Sequence, residues 1–363
     1  MQKERKDIIS PFALFSVSAF IVTGIIYVAS DISPRIADLI NGSLSQGFRR
    51  IMASFSDAFS FSLFETLVII LPLILSFVVY KAVKRFADRR GRIGFVVNFV
   101  AFILLIYSGH IFALGIAHNT THLSETMDLP TTQVSEENLS ETLIDLRNEI
   151  NYLVDLVPRN ENGVFDPQYS YDEISEKICK SYENLSDLYG LPYGFESRAK
   201  GVKSGAAMSY LGITGIYTYV TGEANVNTAY PAYVTLFTTA HEMSHQRGIM
   251  RENEANFIAY LITSTSDDPC LRYSGALNMY NYFASALYKT NRDAYLSIAS
   301  ELRESAKVDF RASNEVSKKY GDTIFEDISD WINDHYLESS GSEGIISYSR
   351  VVELVLAYRE VER

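Results

Sequence analysis

Apolar and polar positions change rhythm once along the chain. Up to about residue 118 the apolar residues form three near-continuous runs, "PFALFSVSAFIVTGIIYVAS" (11–30), "SLFETLVIILPLILSFVVY" (62–80) and "IGFVVNFVAFILLIYSGHIFALGIA" (93–117). At ~1.5 Å per residue, a helix of about twenty residues crosses a ~30 Å hydrocarbon core. The runs predict three transmembrane helices, at about 11–30, 62–80 and 94–117. A cleaved signal peptide would explain the first run alone, but two further spans follow. Glu65 and Pro72 interrupt the second run, and neighbouring helices can cover both.

Beyond residue 118 the rhythm becomes that of half-buried helices. Residues 119–136, rich in Ser, Thr and acids, read as a linker before an outer domain over 137–363. Leu139, Leu143, Ile144, Leu146, Ile150, Leu153 and Val154 recur at helical spacing, and "YDEISEKICKSYENLSDLYG" repeats the pattern and stops at Gly190. The segment "GIYTYVTGEANVNTAYPAYV" instead reads as a strand, a turn and an irregular approach to a helix beginning near Thr235. After residue 275 four segments are helical, among them "DISDWINDHYLES" (327–339). The fold class expected is an α-helical membrane region joined to an α+β, mainly helical domain with a small sheet.

Charge orients the spans. Lys81, Lys84, Arg85, Arg89, Arg90 and Arg92 follow the second run, and Lys3, Arg5 and Lys6 precede the first, so both places should be cytoplasmic. The loop 31–61 should lie outside, with "SLSQGFRRIMASF" as an amphipathic helix resting on the membrane surface. A multi-pass protein of the cytoplasmic membrane results, with its N-terminus inside and its large domain outside. The first 118 residues carry 12 basic and 7 acidic side chains, the remainder 20 and 37. So acidic an outer domain has no electrostatic footprint for nucleic acid. Cys179 and Cys270 lack metal-ligand spacing; a disulfide and two separate buried thiols remain open readings.

Chemistry concentrates in "TTAHEMSHQRGIMRENEANFIAYL" (238–261). On a helix His241 and His245 are one turn apart, with Cβ atoms ~6 Å from each other, close enough to meet one zinc. Glu242 lies ~100° around the helix, beside the metal, where a carboxylate can serve as general base. This is the H-E-x-x-H arrangement of zinc peptidases. A third ligand must come from Glu252 or Glu254. On an unbroken helix Glu252 would sit ~10 Å along the axis from His245, too far to share an ion, so the chain must turn at Gly248. Glu252 then shares a small, polar face with Ala255, Asn256 and Ala259, whereas Glu254 shares an apolar one. Glu252 is the preferred ligand, Glu254 the alternative, and Asn256 a candidate to orient a ligand.

"HEMSH" followed by "ENEAN" resembles the H-E-x-x-H … E-x-x-A-(D/N) pattern of gluzincin metallopeptidases, which implies Glu252 as third ligand. The gap between the elements is shorter than in most gluzincins, and its Gly248 turn resembles that of metzincins. With "MSYLGITGIYTYVTGEANVN" ahead of it and "RYSG" after it, the motif resembles a bacterial membrane family, domain of unknown function 3810. That resemblance implies a metallopeptidase-like fold and metal chemistry. Zinc peptidases of this kind pair substrate with a strand at the rim of the cleft, for which Tyr217, Tyr219 and Gly222 are the candidates. Tyr273 and Arg272 are candidates to hold the oxyanion. His110, His118, His122 and His335 lack ligand spacing and read as structural.

The function expected is a membrane-anchored zinc endopeptidase acting on peptides or proteins outside the cytoplasmic membrane. A catalytically silent, zinc-stabilised binding or sensor domain is the alternative. The motif is far from the spans in sequence, which argues against cleavage within the membrane and for cleavage near its surface. No oligomeric state follows from the sequence.

Overall fold

A computed structural model describes residues 10–86, 89–192, 194–321 and 346–362. Helix α1 (Pro11–Ile32) leads through α2 (Pro34–Ile40) and a π-helical turn (Asn41–Ser45) into α3 (Gln46–Ser56). Helices α4 (Leu63–Arg85) and α5 (Arg89–Ala113) follow, then a 3-10 turn (Gly115–Asn119) and α6 (Leu123–Thr126). The rest comprises α7 (Glu136–Leu153), α8 (Tyr171–Tyr189), β1 (Lys200–Val202), α9 (Gly205–Ser209), β2 (Gly215–Thr218) and β3 (Glu223–Asn227). It ends with α10 (Ala232–Gln246), α11 (Glu252–Ser264), α12 (Pro269–Thr290), α13 (Arg292–Ser300), α14 (Glu304–Tyr320) and α15 (Ile346–Glu362). The expected helix over 327–339, with His335, lies outside the described residues.

Among the described residues, three helices are long and apolar enough to cross a membrane, those starting at Pro11, Leu63 and Arg89. Helices α1 and α5 pack through small side chains, with Ala13, Ser16, Ala101 and Ser108 buried, while α4 buries none of its residues. Small residues let helix backbones approach where burial of apolar surface gives no driving force. Glu65, expected as an interruption of a span, sits in the first turn of α4 and accepts the Ser204 N–H at 2.6 Å. At the same end Glu223, fully buried on β3, accepts the backbone N–H groups of Leu63 and Phe64 at 2.9 and 2.8 Å. A carboxylate there meets both the orphan donors and the positive end of the helix dipole.

The core beyond the apolar helices forms where α10, α11 and α12 pack on one another, with α7, α8 and α15 around them. The apolar stripes read from sequence are the buried ones: Leu139, Leu143, Leu146, Ile150 and Leu153 on α7, and Ile174, Ile178 and Leu185 on α8. Gly190 ends α8 with φ +64°. Helix α10 starts at Ala232 rather than near Thr235, because Pro231 at its N-cap already holds φ at −59°. The sheet has the order β1-β3-β2, with β1 parallel and β2 antiparallel to β3.

Two expectations about the connecting segments change. The 119–136 segment is no free linker, since Leu123 and Met127 enter the core and Thr121 bonds Asp38. The helix expected to rest on the membrane surface is α3, and its polar face is packed against protein. Arg49 is fully buried there and donates to Ala113 O, Asn41 O, Asn41 Oδ1 and Gln46 Oε1. Burial pushes this guanidinium down to about 10. A buried cation needs its donors satisfied, and a helix lying flat on a bilayer could not supply those acceptors.

Candidate metal centre

The site is built on the turn between α10 and α11. Gly248 has φ +93°, and a Cβ there would lie 2.4 Å from Arg49 Nη2 and 2.8 Å from Asn41 Oδ1. Asn41 Nδ2 donates to the Gly248 carbonyl at 3.2 Å. Gly248→Ala is expected to cost at least the roughly 1–3 kcal/mol of a left-handed non-glycine residue, read as a lowered unfolding midpoint.

The turn returns α11 past the end of α10 and brings His241, His245 and Glu252 together, one ligand atom of each lying within 4.8 Å of the others. His241 Nε2 is 3.2 Å from Glu252 Oε2, and His245 Nε2 is 3.4 Å from Glu252 Oε1. Those separations are longer than the ~2.7–2.9 Å of a charge-assisted hydrogen bond. They are close to the ~3.3 Å between neighbouring ligands around zinc, one to each oxygen of Glu252, and two imidazoles with a carboxylate are a donor set that suits zinc. His245 Nδ1 sits 2.7 Å from the Ile249 carbonyl, and donating to it leaves Nε2 free to face the cluster. The Glu252 side chain is 35% exposed against 13% and 11% for the histidines, so the cluster opens to solvent on the Glu252 side.

Burial opposes charge on His245, but the facing Glu252 more than offsets this and pushes the imidazole up to about 9. Burial alone would raise Glu252, yet the two imidazoles hold it well below the usual carboxylate range. A histidine whose folded pKa is raised adds stability that is complete below its unfolded value of ~6.5. The metal-free fold loses that stability as pH rises through about 9. Ligation needs neutral imidazole, so zinc entry at pH 7 is expected to release about one proton. Calorimetry in two buffers of different ionisation heat measures it, and apparent affinity should climb until pH passes about 9.

Glu242 lies beside this cluster, 5% exposed, and burial raises its carboxyl above the ordinary range. The backbone N–H of Tyr217 donates to it. The strand comes this close because residue 215 is glycine: a Cβ there would lie 2.6 Å from Glu242 Oε1. Thr214 and Thr218 turn their carbonyls to β3, accepting from Asn227 N and Gly222 N at 2.8 and 2.7 Å. By alternation Gly215 and Tyr217 turn their backbone groups to the open edge, toward Glu242.

Among the strand candidates Tyr217 alone reaches the site. Tyr219 donates its hydroxyl to Ile106 O on α5 at 2.8 Å, and Gly222, with φ +71°, packs on Met52 and Ala53 of α3. Glu254 stays outside the cluster. Its carboxylate takes Arg251 Nη1 and Leu123 N, each at 3.1 Å, with His122 Nδ1 at 3.2 Å. Asn256, half-buried one turn along α11, makes no hydrogen bond to the three clustered side chains. Tyr273 is fully buried, donates to Asp309 Oδ2 at 2.6 Å and accepts from Arg159 at 3.0 Å. The buried Asp309 claims that hydroxyl, and Arg272 pairs with Glu149, so neither fills the expected oxyanion role. Cys179 and Cys270 are free thiols.

Sequence reasoning missed Arg49, Gly215 and the nearness of His118. Glycine ahead of a β-branched and aromatic run was the available signal for Gly215. His118 lies within electrostatic reach of His245 and Glu252, and its carbonyl accepts from Arg251 at 2.7 Å. The motif is thus far from the apolar helices in sequence and next to the C-terminal end of α5 in space.

Comparison with curated proteins and with solved structures gives no match. A family model described as a protein of unknown function (DUF3810) matches residues 42–356, from the π-helical turn before α3 into the last helix, and the chain belongs to that family.

Proposed function

We propose that the chain is a membrane-anchored zinc endopeptidase with a gluzincin-like fold, hydrolysing peptide bonds outside the cytoplasmic membrane. The observation that carries this reading is the convergence of His241, His245 and Glu252 on one point beside Glu242. His241, His245 and Glu252 would hold the zinc, which when bound would supply Lewis acidity, lowering the pKa of a water toward ~7. Glu242, desolvated and held by the Tyr217 amide, takes the proton and delivers it to the leaving amine. On the open edge of β2, Gly215 and the Tyr217 carbonyl offer backbone groups to an extended peptide, the Tyr217 N–H being given to Glu242. Three protein ligands and an adjacent acid favour turnover over a zinc-stabilised sensor, because purely structural zinc sites take four ligands. Positive charge between α4 and α5 supports an orientation with the site outside.

The test uses the full chain in nanodiscs. About one zinc per chain is expected, with hydrolysis of a degenerate peptide library that stops on chelation and returns with zinc. Bound zinc with no hydrolysis would move the chain to the sensor reading, and absence of zinc would sink both.

A further inference from the structure

Several contacts fix the height of the centre relative to the apolar helices. Arg251, next to Glu252, donates to the carbonyls of His118 and Thr120 at 2.7 and 2.5 Å, just beyond α5. Counted from Arg92, about twenty helical residues fill ~30 Å and put the outer hydrocarbon boundary near residue 112. His118 is then at most ~10 Å above the boundary. Ile106, which receives the Tyr219 hydroxyl, lies roughly 9 Å below it. From Tyr219 the strand needs only ~7 Å to reach Tyr217 and Glu242.

The faces of α3 give an independent measure. Its buried side carries Gln46, Arg49, Ala53 and Ser56, while Leu44 just before it and its own Ile51 and Phe55 point outward, 59%, 64% and 60% exposed, beside the exposed Arg50 and Ser54. Val220, at the tip of the β2–β3 turn, is 49% exposed. Buried polar groups with large apolar side chains and one cation outside invert the arrangement of a surface helix in water and suit a segment at the level of lipid headgroups. Arg49 and Met52 of this helix touch the Gly248 and Gly222 turns on either side of the site.

We infer that the substrate is a polypeptide anchored in the same membrane, cut within a few residues of where it leaves the bilayer; this rests on the peptidase reading. The ligands stand at headgroup level, so the bilayer blocks one approach to a folded soluble protein. A chain emerging from lipid covers ~10 Å with about three extended residues and meets the open edge of β2. Sharing a membrane also confines both proteins to one thin layer and raises their local concentration, an effect of the kind linkage gives, on the order of 10² without new contacts.

Liposomes carrying the full chain would receive a degenerate segment following a single transmembrane helix, spaced from it by about 2, 10 or 30 flexible residues, or the same segment free in solution. Cleavage is expected at the short spacer, about 100-fold faster than for the free segment. Equal rates on all four would overturn the anchored substrate and leave the peptidase intact. No cleavage of any, with zinc bound, would overturn both. Depth is read separately from Val220→Trp fluorescence, with wild type correcting for Trp331. Quenching by brominated lipid is expected, and its absence would overturn the placement.

Discussion

Replacing Glu242 by Gln is expected to leave zinc bound and to lower kcat/KM by about 10²–10⁴-fold. The amide keeps the shape of the carboxylate and an oxygen for the Tyr217 N–H, and its neutrality suits a site where burial already disfavours charge. Fold and metal content should therefore match wild type. What is lost is a group that can accept a proton. Zinc analysis beside cleavage of the anchored segment separates these effects. Activity within a few-fold of wild type would assign the base to another residue.

Glu252→Gln and Glu254→Gln are expected to fail in opposite ways. Glu252 faces both imidazoles and is partly exposed, so its amide should weaken zinc binding by more than the ~10–100-fold that an outer partner costs. It should also cost the metal-free fold the stability of the His245 pairing, a loss that fades as pH rises through about 9. Glu254 is buried and joins Arg251 to the Leu123 amide, so its amide leaves a half-buried guanidinium short of a charge partner. A loss approaching ~3–5 kcal/mol with zinc retained is expected. Zinc titration and urea midpoints on the two variants check this, and exchanged phenotypes would reassign the third ligand.

The contrast shows what the sequence could carry. His241, His245 and Glu242 sit within one helical turn, where spacing alone fixes direction, and the Gly248 turn followed from the ~10 Å an unbroken helix would impose. Glu252 needed one further step, the comparison of helix faces. Tyr273 failed because its fate depends on Asp309, 36 residues away, whose burial no local pattern reveals. The docking of α3 failed for the same reason at greater range, since Asn41 meets Gly248 across 207 residues. An amphipathic helix on a membrane surface turns its polar side to water, whereas Arg49 on the polar side of α3 meets Asn41, Gln46 and the Ala113 carbonyl. Helices α7 and α8 were legible because their stripes answer to one core.

Cutting the chain after α5 to obtain the remainder alone would take the Leu63 and Phe64 amides from Glu223 and the Asn41 side chain from the Gly248 carbonyl. Glu223 would lose both donors, and the sheet would lose the cover that α3 and α4 give β3, the neighbour of the strand that faces Glu242. The apolar helices therefore serve less as a leash than as masonry: a truncated protein freed from the membrane forfeits the floor on which its ligands stand.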